Sequence, residues 1–106
     1  MLDLPKAIAT YLSADPGDGD TVMHCFTEDA VVRDEGEIHT GRPAIAAWKA
    51  STATQYQYTS TPFAARNEAG KIVVSAHVEG NFPGSPVDLD YAFTLSSDLI
   101  QTLEIG

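Results

Sequence analysis

The stretch that decides the fold is Phe26-Thr27-Glu28-Asp29-Ala30-Val31-Val32-Arg33-Asp34-Glu35-Gly36, followed three residues later by Thr40-Gly41-Arg42-Pro43-Ala44-Ile45-Ala46-Ala47-Trp48. Ala30 to Asp34 is a short β-branched run that reads as a strand. Glu35-Gly36 interrupts it, and Glu37-Ile38-His39-Thr40 resumes an extended pattern, so the two segments form a small hairpin. Thr40 or Gly41 is suited to cap a helix and Pro43 is tolerated in its first turn. Ile45, Trp48 and Thr52 then share one helical face of an element ending near Thr54.

Upstream of this stretch, Asp3 is an N-cap candidate and Pro5 fits a first helical turn. Leu4, Ile8, Tyr11 and Leu12 recur at helical spacing, which points Tyr11 inward. The run Asp15-Pro16-Gly17-Asp18-Gly19-Asp20 ends that helix, and its last members cap a short second one carrying Val22, Met23 and Phe26. Downstream, helical periodicity gives way to strand candidates at 56–66, 71–82 and 87–96, with a final one at 99–105. Turn residues separate them at 67–70, 81–86 and 97–98. Helices in front and strands behind predict an α+β domain spanning 1–106, with an antiparallel meander whose one face is covered by three helices. A cone with a central pocket follows.

Composition narrows the function classes. The 106 residues are 43% hydrophobic and 20% charged, which suits one compact domain and excludes disorder. Fifteen acidic residues against six basic ones give a net charge of −9, and no basic stripe is present. Nucleic acid and anionic membrane surfaces are therefore excluded as partners. No segment reaches the roughly 18 apolar residues of a membrane span. The first residues lack a basic region followed by an apolar run, so a cytoplasmic location is expected. A lone Cys25 forms no intrachain disulfide, and Cys25, His24, His39 and His77 show no zinc-like spacing, so no metal is expected. Cys25 is read as a packing residue.

The two quoted stretches, in the order helical hairpin, F-x-x-D-A entry into a strand, small hairpin, G-x-x-A-I helix and long meander, resemble the SnoaL-like branch of the nuclear transport factor 2-like superfamily. The resemblance covers nearly the whole chain. It implies a cone-shaped α+β barrel, three helices packed on a curved mixed, mostly antiparallel sheet, with an apolar cavity and a homodimeric assembly. The same fold serves polyketide cyclases, ketosteroid isomerases, limonene-epoxide hydrolases, dehydratases and many non-enzymes, and no cofactor is implied. Carried over from ketosteroid isomerase, Asp34 matches the position of the base and Asp90 that of the strand carboxyl that stays protonated. Tyr11 matches the oxyanion-binding tyrosine once one residue is gapped between it and Asp20.

The residues themselves leave one alternative open. Asp90 alternates with Leu89, Tyr91, Phe93 and Leu95, so its carboxyl lies on the face opposite four apolar side chains. With Asp90 inside, desolvation raises its pKa and makes it a hydrogen-bond donor while Asp34 stays ionised as the base, and the apolar four supply a dimer interface on the outer sheet face. With Asp90 outside, it is a solvated carboxylate and the apolar four are core. A one-residue slip separates the two, and the first is the working expectation. Trp48, Phe63 and Met23 are pocket-wall candidates. His77 lies on the more polar phase of its strand, which directs it outward; the opposite phase would bring it to the pocket near Asp90 as an acid/base group. His39 is expected in solvent, and Arg33 projects away from Asp34.

The function read from the sequence is binding of a small apolar molecule, coupled to cofactor-independent acid/base chemistry of isomerase or cyclase type. Asp34 is the base, and Tyr11 and Asp90 are oxyanion donors. The alternative is a non-catalytic ligand-binding or dimerisation module of the same fold. Epoxide hydrolysis of the limonene type is disfavoured, because Arg66 lies near a turn and no Asn occurs in the first two strands.

Overall fold

The computed structural model describes residues 4–14, 18–55 and 57–106, with the side chains of 52–55 left out. Nine elements follow in order: α1 Lys6–Ser13, α2 Gly19–His24, β1 Phe26–Asp34, β2 Glu37–Thr40, α3 Arg42–Gln55, β3 Tyr58–Glu68, β4 Lys71–Gly80, β5 Val87–Ser96 and β6 Leu99–Ile105. The strand after the helical hairpin starts at Phe26 rather than Ala30. Asp3 and Asp15 to Gly17 lie outside the described residues. Asp18 caps α2, its carboxylate accepting from Thr21 N at 3.2 Å and Thr21 Oγ1 at 2.7 Å. Those two bonds hold the Asp18 carboxyl below its ordinary range.

The six strands form one open mixed sheet in the order β2-β1-β6-β5-β4-β3. β3 to β6 is the expected antiparallel meander, while β1 joins β6 in parallel and so links the front of the chain to its back. Three two-residue hairpins set the register. Glu35-Gly36, Ala69-Gly70 and Ser97-Asp98 all have positive φ at both residues, the type I′ geometry that matches strand twist. No helix among the described residues is long and apolar enough to cross a membrane.

The three helices cover one face of the sheet, and the core lies between. Ile8, Tyr11, Val22, Phe26, Ile45, Val74, Phe93, Ile100 and Leu103 are buried there. The Tyr11 ring meets Phe26 edge-on at 5.5 Å between centroids and Phe93 at 6.0 Å, the orientation that aromatic quadrupoles favour. β1 bulges between Phe26 and Val31 in its pairing with β6, and Arg42 at the start of α3 donates from Nε to the Phe26 carbonyl at 2.9 Å. That bond ties α3 to the strand it crosses.

Alternation on β5 resolves the open choice. Tyr91 and Phe93 are buried and Leu89 and Leu95 pack against the same core, so the apolar four are interior side chains. Asp90 consequently lies on the outer face, with its side chain 52% exposed. The expected placement of Asp90 inside is corrected: burying a carboxylate while exposing Tyr91 and Phe93 would reverse both burial free energies. The apolar dimer face inferred from that placement goes with it.

Candidate functional site

A cavity of about 350 Å³ opens between α3, the ends of β1 and β6, and the β4–β5 side of the sheet. Asp34, Trp48, Lys49, Tyr58, Leu89 and Tyr91 are among its lining residues. A smaller space of about 110 Å³ shares Lys49, Tyr58 and Tyr91 with it and reaches back to Tyr11 and Ser60. Each polar group arrives by a simple local rule. Ala30, Val32 and Asp34 alternate inward along β1, and the Glu35-Gly36 turn ends the strand just as Asp34 reaches the rim. Arg33, one residue earlier, points out and meets Glu104 across the outer face at 3.9 Å.

Asp34 is half-buried, and its Oδ2 accepts a hydrogen bond from Trp48 Nε1 at 3.1 Å. Trp48 thereby serves as both cavity wall and holder of the carboxylate. Tyr11 is 2% exposed, and burial, reinforced by Tyr91, Tyr58 and Asp34, pushes its phenol well above the ordinary tyrosine range. The Tyr91 phenol is raised chiefly by burial as well. Both therefore remain neutral hydrogen-bond donors at physiological pH rather than bases.

Sequence reasoning missed Lys49. Its Nζ stands 3.5 Å from Tyr11 Oη and 3.4 Å from Tyr58 Oη, with the Tyr11, Trp48 and Tyr58 ring centroids at 4.9, 5.7 and 5.9 Å. The signal was its spacing: position 49 is one helical turn from Ile45, so it shares the buried face of α3. Tyr58 depends in turn on Gly80, its cross-strand partner. A Cβ at Gly80 would fall 2.2 Å from the Gln57 carbonyl oxygen and 2.6 Å from Tyr58 Cβ, so only glycine lets this wall close.

Of the residues expected at the site, Asp34, Tyr11 and Trp48 are brought together around these spaces. The others are not. Asp90 is tied on the outer face to Ser75 Oγ at 2.6 Å and Arg66 at 3.4 Å, which hold its carboxyl below the ordinary range, the opposite of the protonated donor expected. His77 faces outward, as the polar phase of its strand directs, and not toward the pocket that the opposite phase would have reached; it is bonded to Asp88 at 2.8 Å while its strand buries Val74, Ala76 and Val78. Phe63 is 56% exposed at a bulge of β3 between Pro62 and Ala64. Met23 is half-buried on α2 and lines neither space. His39, expected in solvent, packs its ring against Trp48 at 5.7 Å. Cys25 is buried and its Sγ donates to the Thr21 carbonyl at 3.2 Å, in keeping with a packing role. Among the described residues no group of three or more His, Cys, Asp and Glu is placed to hold a metal ion.

Comparison with solved structures supplies the relatives. A polyketide-cyclase-like protein of Sinorhizobium meliloti is 40% identical, superimposes with a TM-score of 0.92, and is covered over 96% of its length by 98% of this chain. A protein with a ketosteroid-isomerase-like fold from Catenulispora acidiphila, in complex with trimethylamine, is 20% identical with a TM-score of 0.82 over 98% of this chain and 86% of that one. SalBIII, an epoxide hydrolase/cyclase-like enzyme of pyran-ring formation in salinomycin, is 21% identical with a TM-score of 0.77 over 94% and 86%. The last two likenesses speak for the fold alone. No protein-family model matches the chain, and no curated protein matches it significantly.

Proposed function

Because the chain belongs to the SnoaL-like branch of the nuclear transport factor 2-like superfamily, beside polyketide-cyclase-like proteins, we propose that its cavity binds a small, largely apolar molecule and moves a proton on it without a cofactor. The observation that carries this reading is Asp34 at the cavity rim with one oxygen held by the Trp48 indole. A carboxylate held through Oδ2 presents its second oxygen to a substrate proton, and the holding bond sets its direction.

The step is proton abstraction from a carbon beside a carbonyl. Asp34 takes the proton, the C–H electron pair becomes the new C=C bond, and the carbonyl π pair moves onto oxygen. Return of the proton to another carbon completes an isomerisation; attack of the enolate carbon on a second carbonyl of the same molecule forms the ring bond and an alkoxide, and delivery of the proton held by Asp34 to that alkoxide completes an aldol cyclisation and restores the carboxylate. Neutral phenols of Tyr11 and Tyr91 suit the donor side of such chemistry, since their raised pKa keeps them protonated. At about 350 Å³ the cavity sits at the lower end of the usual ligand-site range, which favours a compact substrate of one or two rings.

Asp34→Asn tests the reading. Turnover of a carbon acid, followed as solvent-deuterium incorporation, should fall by about 10² to 10⁴ while binding persists. Unchanged turnover would remove Asp34 as the base, and binding with no turnover even in the native protein would make this a ligand-holding module. A homodimer through the outer sheet face would bury polar side chains such as Arg66, Asp90, His77 and Asp88 together with the exposed Phe63; light scattering at micromolar concentration decides it.

A further inference from the structure

One charged group of the cavity has no part in the proton abstraction above. Lys49 places its ammonium between the phenol oxygens of Tyr11 and Tyr58 and against three aromatic faces. The two oxygens accept from it, and the rings hold its charge by their quadrupoles, so the position of that charge is fixed before any ligand arrives. We propose that Lys49 is the oxyanion-stabilising group of the site, and that the substrate class is a neutral carbonyl compound that becomes an enolate in the cavity with its oxygen toward Lys49. The inference rests on the cavity being a carbon-acid site and adds to it the group that receives the negative charge.

Trp48 links the two ends of the arrangement. Its indole N–H holds Asp34, and its ring lies 5.7 Å from Lys49 Nζ, so base and ammonium border one space from two sides of a single side chain. Charge bookkeeping then selects the substrate. Asp34 and Glu35 both line the cavity, and a permanently anionic ligand would face two carboxylates against one ammonium. A neutral carbon acid avoids this. As it hands its proton to Asp34, that carboxylate loses its charge at the moment the substrate oxygen gains one, and the net charge of the cavity is unchanged. Phenols that already accept a bond from an ammonium are also polarised toward donating their own proton, which makes Tyr11 and Tyr58 better partners for the same oxygen. No oxidant, reductant or further reactant is needed.

Asp34→Asn mimics the base after it has taken the proton, and para-nitrophenol, whose phenolate absorbs visibly and whose neutral form does not, mimics the enolate. Titrating para-nitrophenol into the Asp34→Asn protein across neutral pH gives the affinities of both forms, with Trp48, the single tryptophan, as a second reporter. The Asp34→Asn protein should prefer phenolate over phenol. Adding Lys49→Met should weaken phenolate binding roughly tenfold or more while leaving the neutral phenol within about twofold, and Lys49→Arg should restore most of the preference. Lys49→Gln carries the same comparison if the methionine variant does not fold. An unchanged phenolate-to-phenol ratio on losing Lys49 would overturn the assignment and leave the cavity reading standing. Failure of either form to bind any of these proteins would overturn both.

Discussion

Asp34 and Asp90 are aspartates on neighbouring parts of one sheet, and the two faces of that sheet treat them in opposite ways. Asp34 looks into a cavity walled by Trp48, Lys49 and Tyr58, with the Trp48 indole N–H on its carboxylate. Asp90 looks into solvent and is tied to a serine and an arginine. What differs is not the residue but what its strand neighbours bury. On β1 the inward companions of Asp34 are the small Ala30 and Val32, which leave room at the strand end. On β5 the inward positions are filled by Tyr91 and Phe93, and Asp90 takes the remaining side. A carboxylate borders a cavity where the inward companions on its strand are small, and faces solvent where the inward positions are filled.

The sharpest way to break this contrast is a paired substitution. Asp34→Asn should cost about 10² to 10⁴ in proton-transfer rate, and Asp90→Asn should leave the rate within about twofold, both read by deuterium incorporation. Equal losses would mean that the sheet faces do not divide the labour as described. The next effect is on stability. Phe93→Ala, on the filled face, should destabilise by about 3–5 kcal/mol in urea unfolding, against within about 0.5 kcal/mol for a substitution of the exposed Glu104 on the outer face.

Gly80→Ala probes the cavity wall itself. The added methyl overlaps the Gln57 carbonyl and Tyr58, so about 1–3 kcal/mol of stability should be lost. Ligand affinity should fall more than for a surface Gly→Ala of equal cost, because Tyr58 is displaced with it. The smallest effect belongs to Asp90. Its folded-state pKa lies below the ordinary carboxylate value because Ser75 and Arg66 bond the ionised form. Its contribution is therefore present above the ordinary carboxylate range and is lost as pH falls through the lowered value. Urea unfolding measured from neutral to acid pH should show a slightly shallower loss of stability in Asp90→Asn than in the native protein.

Much of the fold was legible because its determinants are local. Glu35-Gly36, Ala69-Gly70 and Ser97-Asp98 sit at the hairpins the turn chemistry called for, and β5 and β6 have the bounds their alternation predicted. Trp48 and Tyr11 were found because each lies on the apolar phase of its own helix, and Asp34 because its place after Phe26-x-x-Asp29-Ala30 matches the family pattern. Asp90 was misplaced because alternation defines two faces without saying which is covered; the weight of Tyr91 and Phe93 pointed the right way, and the family analogy pulled the other. Phe63 shares the outward phase of β3 with Thr59 and Thr61, and its aromatic character outweighed the alternation from Tyr58 that places it there. Lys49 was overlooked because the six basic residues were weighed only for a basic stripe, although its helical spacing from Ile45 placed it on the buried face.

The parallel pairing of β1 with β6 sets Asp34 beside Ile105, and both line the cavity. The two strands are separated by most of the chain, and the pairing between them closes a long loop that contains α3 and the β3–β5 meander. Such a contact forms late, since the entropy of closing that loop is recovered only once the intervening meander is in place. The cavity is thus a product of completed folding: intermediates lacking β6 would hold Asp34 at an open edge, exposed to water and without its opposite wall. Native-state hydrogen exchange at β6 consequently reports on the integrity of the site as directly as any assay of turnover.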